Sequence, residues 1–149
     1  MREEWSNILL KDSNDKLKAK KLLRMRYLGR IDSIDKFIPL RCSVIRNEGQ
    51  DNQLGIMIHE AQITNSKMKI KFLHLFQINK KGEITKIFPP FDSYGRIRLQ
   101  HICDINEDNI ADIILYEEAE GCNYYTVIQF SRDFSHMTEE KFISKCYSL

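Results

Sequence analysis

The sequence predicts an α+β fold: a mainly antiparallel β-sheet domain with basic helices at its N-terminus and a short helix at its C-terminus. Three observations lead there. Strong helix formers open the chain, and from about residue 36 the apolar residues switch to a period of two. Polar, Gly-containing or Pro-containing segments then punctuate the sequence at short intervals, as turns between strands do.

In chain order, Trp5, Ile8 and Leu9 recur at helical spacing. The run DKLKAKKLLRMRYL predicts a second helix, with Ser13, Asn14 and Asp15 as available N-caps and Gly29 as its stop. Strands are expected over Phe37 to Ile45 and Leu54 to Ile63, separated by the polar segment NEGQDNQ. In MKIKFLHLFQI, Met68, Ile70, Phe72, His74, Phe76 and Ile78 share one side by the period-two rule, and NKKG turns the chain into EITKIF. PPFDSYG reads as a loop, and RIRLQHICDI, ADIILYEE and NYYTVIQF as three further strands. HMTEEKFISKC reads as a terminal helix capped by Thr138. The whole is expected to be one domain, 1–149, in which a helical segment at 1–30 packs on a β domain at 36–131; no Pro/Gly/Ser-rich linker divides it.

Composition narrows the function. With 149 residues, 42% hydrophobic and 30% charged, the chain lies in the globular range. A formal net charge of +2 gives no ground for a nucleic-acid partner, and the longest apolar runs fall far short of the roughly 20 residues of a bilayer span. No signal-peptide core is visible in MREEWSNILLKDSND, so the protein is expected either in the cytoplasm or, if a leader was removed, outside it. Four scattered cysteines, Cys42, Cys103, Cys122 and Cys146, have neither CxxC nor zinc-finger spacing. They read as buried free thiols, or as two disulfides in an exported protein. GxSxG, HExxH, Walker and GxGxxG motifs are absent, which disfavours an enzyme.

The stretch that carries chemistry is HICDINEDNIADIILYEE. Asp104, Asn106, Asp108 and Asp112 stand at positions 1, 3, 5 and 9 of a short loop, with Ile110 at position 7. Calcium takes about 6–8 oxygen ligands, and alternate residues of a tight loop can supply them, position 7 through its backbone carbonyl. Asp and Asn are also ordinary turn residues, so the same stretch reads equally as a solvated turn. Glu117, Glu118 and Glu120 extend the acidic character and form a candidate partner-binding edge, or a solvated one that discourages aggregation. Opposite in sign, the Lys16 to Arg30 segment reads as a surface helix packed through its leucines.

DINEDNIADIIL resembles the calcium-loop signature D-x-N-x-D-G-x-x-D followed by an apolar strand, as in the FG-GAP repeats of integrin-α-type propellers and in single modules of bacterial secreted proteins. The resemblance covers about residues 99–118, with a weaker extension over 68–131. It implies Asp104, Asn106, Asp108 and Asp112 as side-chain ligands, Ile110 as a carbonyl ligand, and a loop that stiffens a β edge for a protein partner. The usual glycine at position 6 is Asn109, a residue that tolerates the left-handed conformation, and Glu107 replaces a small residue at position 4. Leu115 stands where a calmodulin-type EF-hand has its bidentate Glu. A complete propeller is excluded by length and by the lack of internal repeats.

The expected function is therefore a non-enzymatic protein-interaction module with a calcium-binding loop. One alternative is a small bacterial inhibitor or immunity protein that blocks an enzyme through Glu117, Glu118 and Glu120. A second is a calcium-assisted hydrolase. Calcium is scarce in cytosol, so the first reading favours the periplasm or cell surface.

Overall fold

The computed structural model describes residues 2–11, 34–63, 69–88, 91–93, 96–119 and 121–147. The basic helix expected around Lys16 to Arg30 lies outside the described residues, as does Glu120.

Helix α1 (Arg2–Lys11) places Glu3 and Glu4 in its first turn, where carboxylates oppose the positive end of the helix dipole. A first sheet contains β1 (Ile34–Arg46), β2 (Gln53–Ile63), β3 (Lys69–Ile78), β4 (Ile84–Ile87) and β5 (Phe91–Ser93). It runs β1-β2-β3, all antiparallel, and the far edge of β3 is shared by β4, opposite Phe76 to Ile78, and β5, opposite Lys71 to Leu73. The second sheet is a four-stranded meander of β6 (Arg96–Cys103), β7 (Asp112–Ala119), β8 (Cys122–Phe130) and β9 (Met137–Cys146).

Strand alternation sorts the first sheet into two packed faces. Leu54, Ile56, Ile58, Leu73 and Leu75 meet Ile97, Leu99, Ile113, Leu115 and Ile128 of the second sheet in one core. From the intervening positions Met57, Phe76 and Ile78 meet Trp5 and Leu9 of α1. The result is three layers, helix on sheet on sheet. Burial of Trp5 and Leu9 contributes about 1.5–3 kcal/mol each to docking α1. Gly55 makes room for this contact: a Cβ there would stand 2.2 Å from the Phe76 ring, which in turn takes the Trp5 ring edge-on at 5.6 Å between centroids. Trp5 Nε1 donates to the Gly82 carbonyl in the β3–β4 turn at 2.9 Å, so the indole N–H does not go unmet in the core.

Three expectations need correcting. The C-terminal helix is instead strand β9, paired with β8 from Phe130↔Met137 to Cys122↔Cys146. Its sequence has adequate helix propensity, but the open side of β8 offers a full ladder that an isolated helix cannot match, and tertiary context overrides a weak local preference. Within the PPFDSYG loop, Phe91 to Ser93 form β5, because the β4 pairing leaves the start of β3 uncovered. The cysteines are not all buried thiols: Cys122 and Cys146 form a disulfide, Cys103 is exposed and Cys42 is half-buried.

That disulfide closes 24 residues of chain and ties down the end of an otherwise exposed strand. Chain-entropy arguments value such a closure at about 3 kcal/mol. Cys146→Ser is expected to lower stability by about 2–3 kcal/mol in a denaturant titration, and to raise amide exchange in residues 141–147 before the rest of the sheet. Equal exchange in oxidised and mutant protein would show that the β8–β9 ladder needs no covalent tie.

Candidate functional site

One end of the sandwich is built from three turns: the β1–β2 turn at 47–52, the acidic β6–β7 loop at 104–111 and the β8–β9 loop at 131–136. Asn47 joins them. Its buried side chain accepts from the Ala111 amide at 3.1 Å through Oδ1 and donates to the Arg132 carbonyl at 2.9 Å through Nδ2. A buried amide that meets both demands at once fixes the turns relative to each other.

In the acidic loop the aspartates organise the backbone. Asp104 accepts the Asp108 amide at 3.2 Å and the Asn109 amide at 2.8 Å, one on each carboxylate oxygen. Asp108 accepts the Ile110 amide at 2.9 Å, and Asp112 reaches back to accept the Ile105 amide at 2.9 Å. Chain reversal needs two left-handed residues, Glu107 at φ 60° and Asn109 at φ 63°. The Asn109 conformation matches the sequence-based expectation; Glu107 adopts it at a cost of about 1–2 kcal/mol. Ile110 packs its side chain against the core, and the Arg132 guanidinium donates to the Asp108 carbonyl at 3.5 Å.

Asp104, Asn106 and Asp108 are exposed, whereas Asp112, the first residue of β7, is buried at 1% exposure. Burial pushes the Asp112 carboxyl above the usual carboxylate range, with the Asp108 and Asp104 charges acting in the same direction and the Ile105 amide against it. Three aspartates at one loop thus form a site of excess negative charge. All five donors are oxygens, the chemistry a hard cation selects. Among the described residues no three His, Cys, Asp or Glu side chains are grouped as a bound metal would group them. To close on an ion, the exposed Asp104 and Asp108 side chains would have to turn inward.

Glu117 and Glu118 do not make one acidic edge. They are consecutive in β7, an interior strand, and therefore project to opposite faces. Glu117 pairs with Lys141 of β9 at 3.3 Å, and Glu118 accepts from the Tyr116 hydroxyl at 3.1 Å.

Two features of the site were invisible to spacing arguments. Asn47 reads as a turn residue until the fold brings the acidic loop to it. In the 131–136 loop, the Ser135 hydroxyl donates to Asp133 at 2.6 Å and lies 2.9 Å from His136 Nδ1, while Ser131 also donates to Asp133 at 3.0 Å. These bonds hold the Asp133 carboxyl below its usual range. The hydroxyl stands between carboxylate and imidazole, whereas activating a serine nucleophile requires the imidazole in the middle. This cluster shapes a turn. Gln77 and Lys86 of the first sheet donate to the Asp133 and Ser135 carbonyls and clasp it further.

His59 and His74 lie apart from this end, beneath α1. Both are buried, with rings 5.0 Å between centroids, and Ser6 of α1 is 2.7 Å from His59 Nε2. Burial, aided by His59, lowers the His74 pKa to about 3. No helix among the described residues is long and apolar enough to cross a membrane. Comparison with protein-family models, curated proteins and solved structures finds no match to this chain.

Proposed function

We propose that the protein is a non-enzymatic interaction module whose 104–112 loop takes up calcium. The observation that carries this reading is Asp112: a carboxylate buried beside two other aspartates, with its charge disfavoured by burial and by its neighbours. A divalent cation held by Asp104, Asn106, Asp108, Asp112 and the Ile110 carbonyl would reverse that penalty. When bound, the ion would join the two strands that flank the loop and stiffen this end of the sandwich. The Cys122–Cys146 disulfide supports an extracytoplasmic setting, since such bonds persist in oxidising compartments and calcium is plentiful there. The inhibitor reading finds less support, because Glu117 and Glu118 face opposite ways.

Melting curves test the proposal. Millimolar calcium is expected to raise the melting temperature over that in excess chelator, because a ligand bound only by the folded state stabilises it by mass action. Asp104→Ala should abolish the shift. Asp112→Asn separates the ligand role from the electrostatic one. It keeps an oxygen for the Ile105 amide and removes the buried charge, so it should stabilise the calcium-free protein while losing the calcium response. Identical curves with calcium and with chelator in the unmodified protein would rule the calcium reading out.

A further inference from the structure

Strand β9 is the one edge of the described sheets that is both long and left open. Edge strands expose a row of unpaired N–H and C=O groups, and folded proteins blunt them by shortness, proline, bulges or charges, the last of which repel a second strand only where like charges meet. Shortness, proline or a mid-strand irregularity marks each of the other edges. β1 carries Pro39 and register irregularities at Ile34/Lys36 and Pro39/Arg41. β4 and β5 have four and three residues, and β6 is interrupted between Leu99 and His101. β9 is neither short nor interrupted by proline: it pairs with β8 in unbroken register from Met137 to Ile143, its one irregularity falls between Ile143 and Lys145 beside the disulfide, and the charges it carries are of both signs. From Thr138 to Cys146 its side chains are exposed on both faces, Phe142 at 46% and Ile143 at 67%. The disulfide holds its far end in the sheet.

We propose that β9 is a self-association edge, on which a second copy of this chain adds its own β9 antiparallel across a two-fold axis. Charge order along the strand selects this occupant. Acidic residues come first, Glu139 and Glu140, and basic residues follow, Lys141 and Lys145. A two-fold axis sets the acidic part of one copy beside the basic part of the other, twice, because a symmetric interface repeats each contact. Opposite charges across paired strands are favourable and like charges are not, so a strand charged with one sign throughout could not pair with itself. Strand addition supplies the main-chain hydrogen bonds, and Phe142 and Ile143, in the middle of the strand, are covered by their symmetry mates. The inference builds on the reading of the chain as an interaction module and is independent of the calcium loop.

Sedimentation from micromolar to millimolar concentration, in chelator and again in calcium, is the test. The unmodified protein is expected to show a monomer–dimer equilibrium in both buffers. Glu139→Lys/Glu140→Lys makes the strand basic, and Lys145→Glu makes it predominantly acidic; Lys141 is left alone because it also pairs with Glu117. Each variant should weaken its own dimer roughly tenfold or more. Mixing the two folded variants in equal amounts should restore dimers, since each then meets its complement. Recovery of association also shows that neither variant had lost its fold. Monomers at millimolar concentration overturn the proposal and leave the edge to a strand of another protein. Dimers indifferent to the reversals, or variants that fail to pair with each other, overturn it as well. None of these outcomes alters the calcium shift in melting temperature, so the two readings fail separately.

Discussion

Lowering the pH from 6.5 to 5 is expected to cost the protein about 1.5 kcal/mol of stability through His74 alone, rising to about 4 kcal/mol by pH 3. The imidazole is 2% exposed, and its folded pKa is about 3 against 6.5 in the unfolded chain. Above pH 6.5 both states hold it neutral and it has no effect on the balance. Between 6.5 and 3 the unfolded chain binds a proton that the native protein refuses, so stability falls as the pH drops. Carboxyl groups ordinarily titrate near pH 4, below the upper part of this window. Urea titrations of the wild type and of His74→Gln would measure the histidine contribution: the variant should lose most of the slope, up to about 1.4 kcal/mol per pH unit. A wild-type slope that survives the substitution would place the acid sensitivity elsewhere. Because His59 joins His74 to Ser6 of α1, loosening of that helix is the expected first structural sign.

Phe134→Ala is expected to cost about 3–5 kcal/mol, the usual range for emptying a buried aromatic site. Phe134 is fully buried at the end of the shared core, edge-on to Phe130 at 5.5 Å between centroids, yet its φ is 58°. A bulky side chain in that conformation is held by burial against backbone strain. Phe134→Gly separates the two. Glycine tolerates the left-handed conformation, so this variant should be more stable than Phe134→Ala by about 1 kcal/mol, the reverse of their order at an ordinary buried position. Chemical denaturation of both variants decides it; an alanine variant more stable than the glycine variant would mean that the loop carries no strain at Phe134.

Much of the central architecture was legible in the sequence because it follows a local period. The alternation in β3 and the turn-bounded runs of β2, β6, β7 and β8 each record burial one strand at a time. The loop at 104–111 was legible for the same reason, as a cluster of turn residues between two apolar runs. β9 was not, since TEEKFISK alternates poorly and neither face of it is covered; what makes it a strand is the open side of β8 and a cysteine 24 residues away. The joining role of Asn47 was hidden likewise, because its partners Ala111 and Arg132 are 64 and 85 residues distant in sequence. Nor could spacing reveal that Glu117 and Glu118 lie in an interior strand, which follows only from the pairing of β7 with both β6 and β8.

The order of the strands has a kinetic meaning. Nearly every pairing joins neighbours in sequence, β1 to β2, β2 to β3, and β6 through to β9, with the contact of β5 on β3 as the exception. Loop closure within each sheet is therefore short and costs little entropy, so both meanders can form by successive hairpins on the microsecond scale typical of such units. The meeting of Leu54, Ile56 and Leu75 with Ile113, Leu115 and Ile128, and the docking of Trp5 and Leu9 on Met57 and Phe76, bring distant chain together. Docking of these distant parts, not the building of either sheet, is therefore the step expected to set the folding rate.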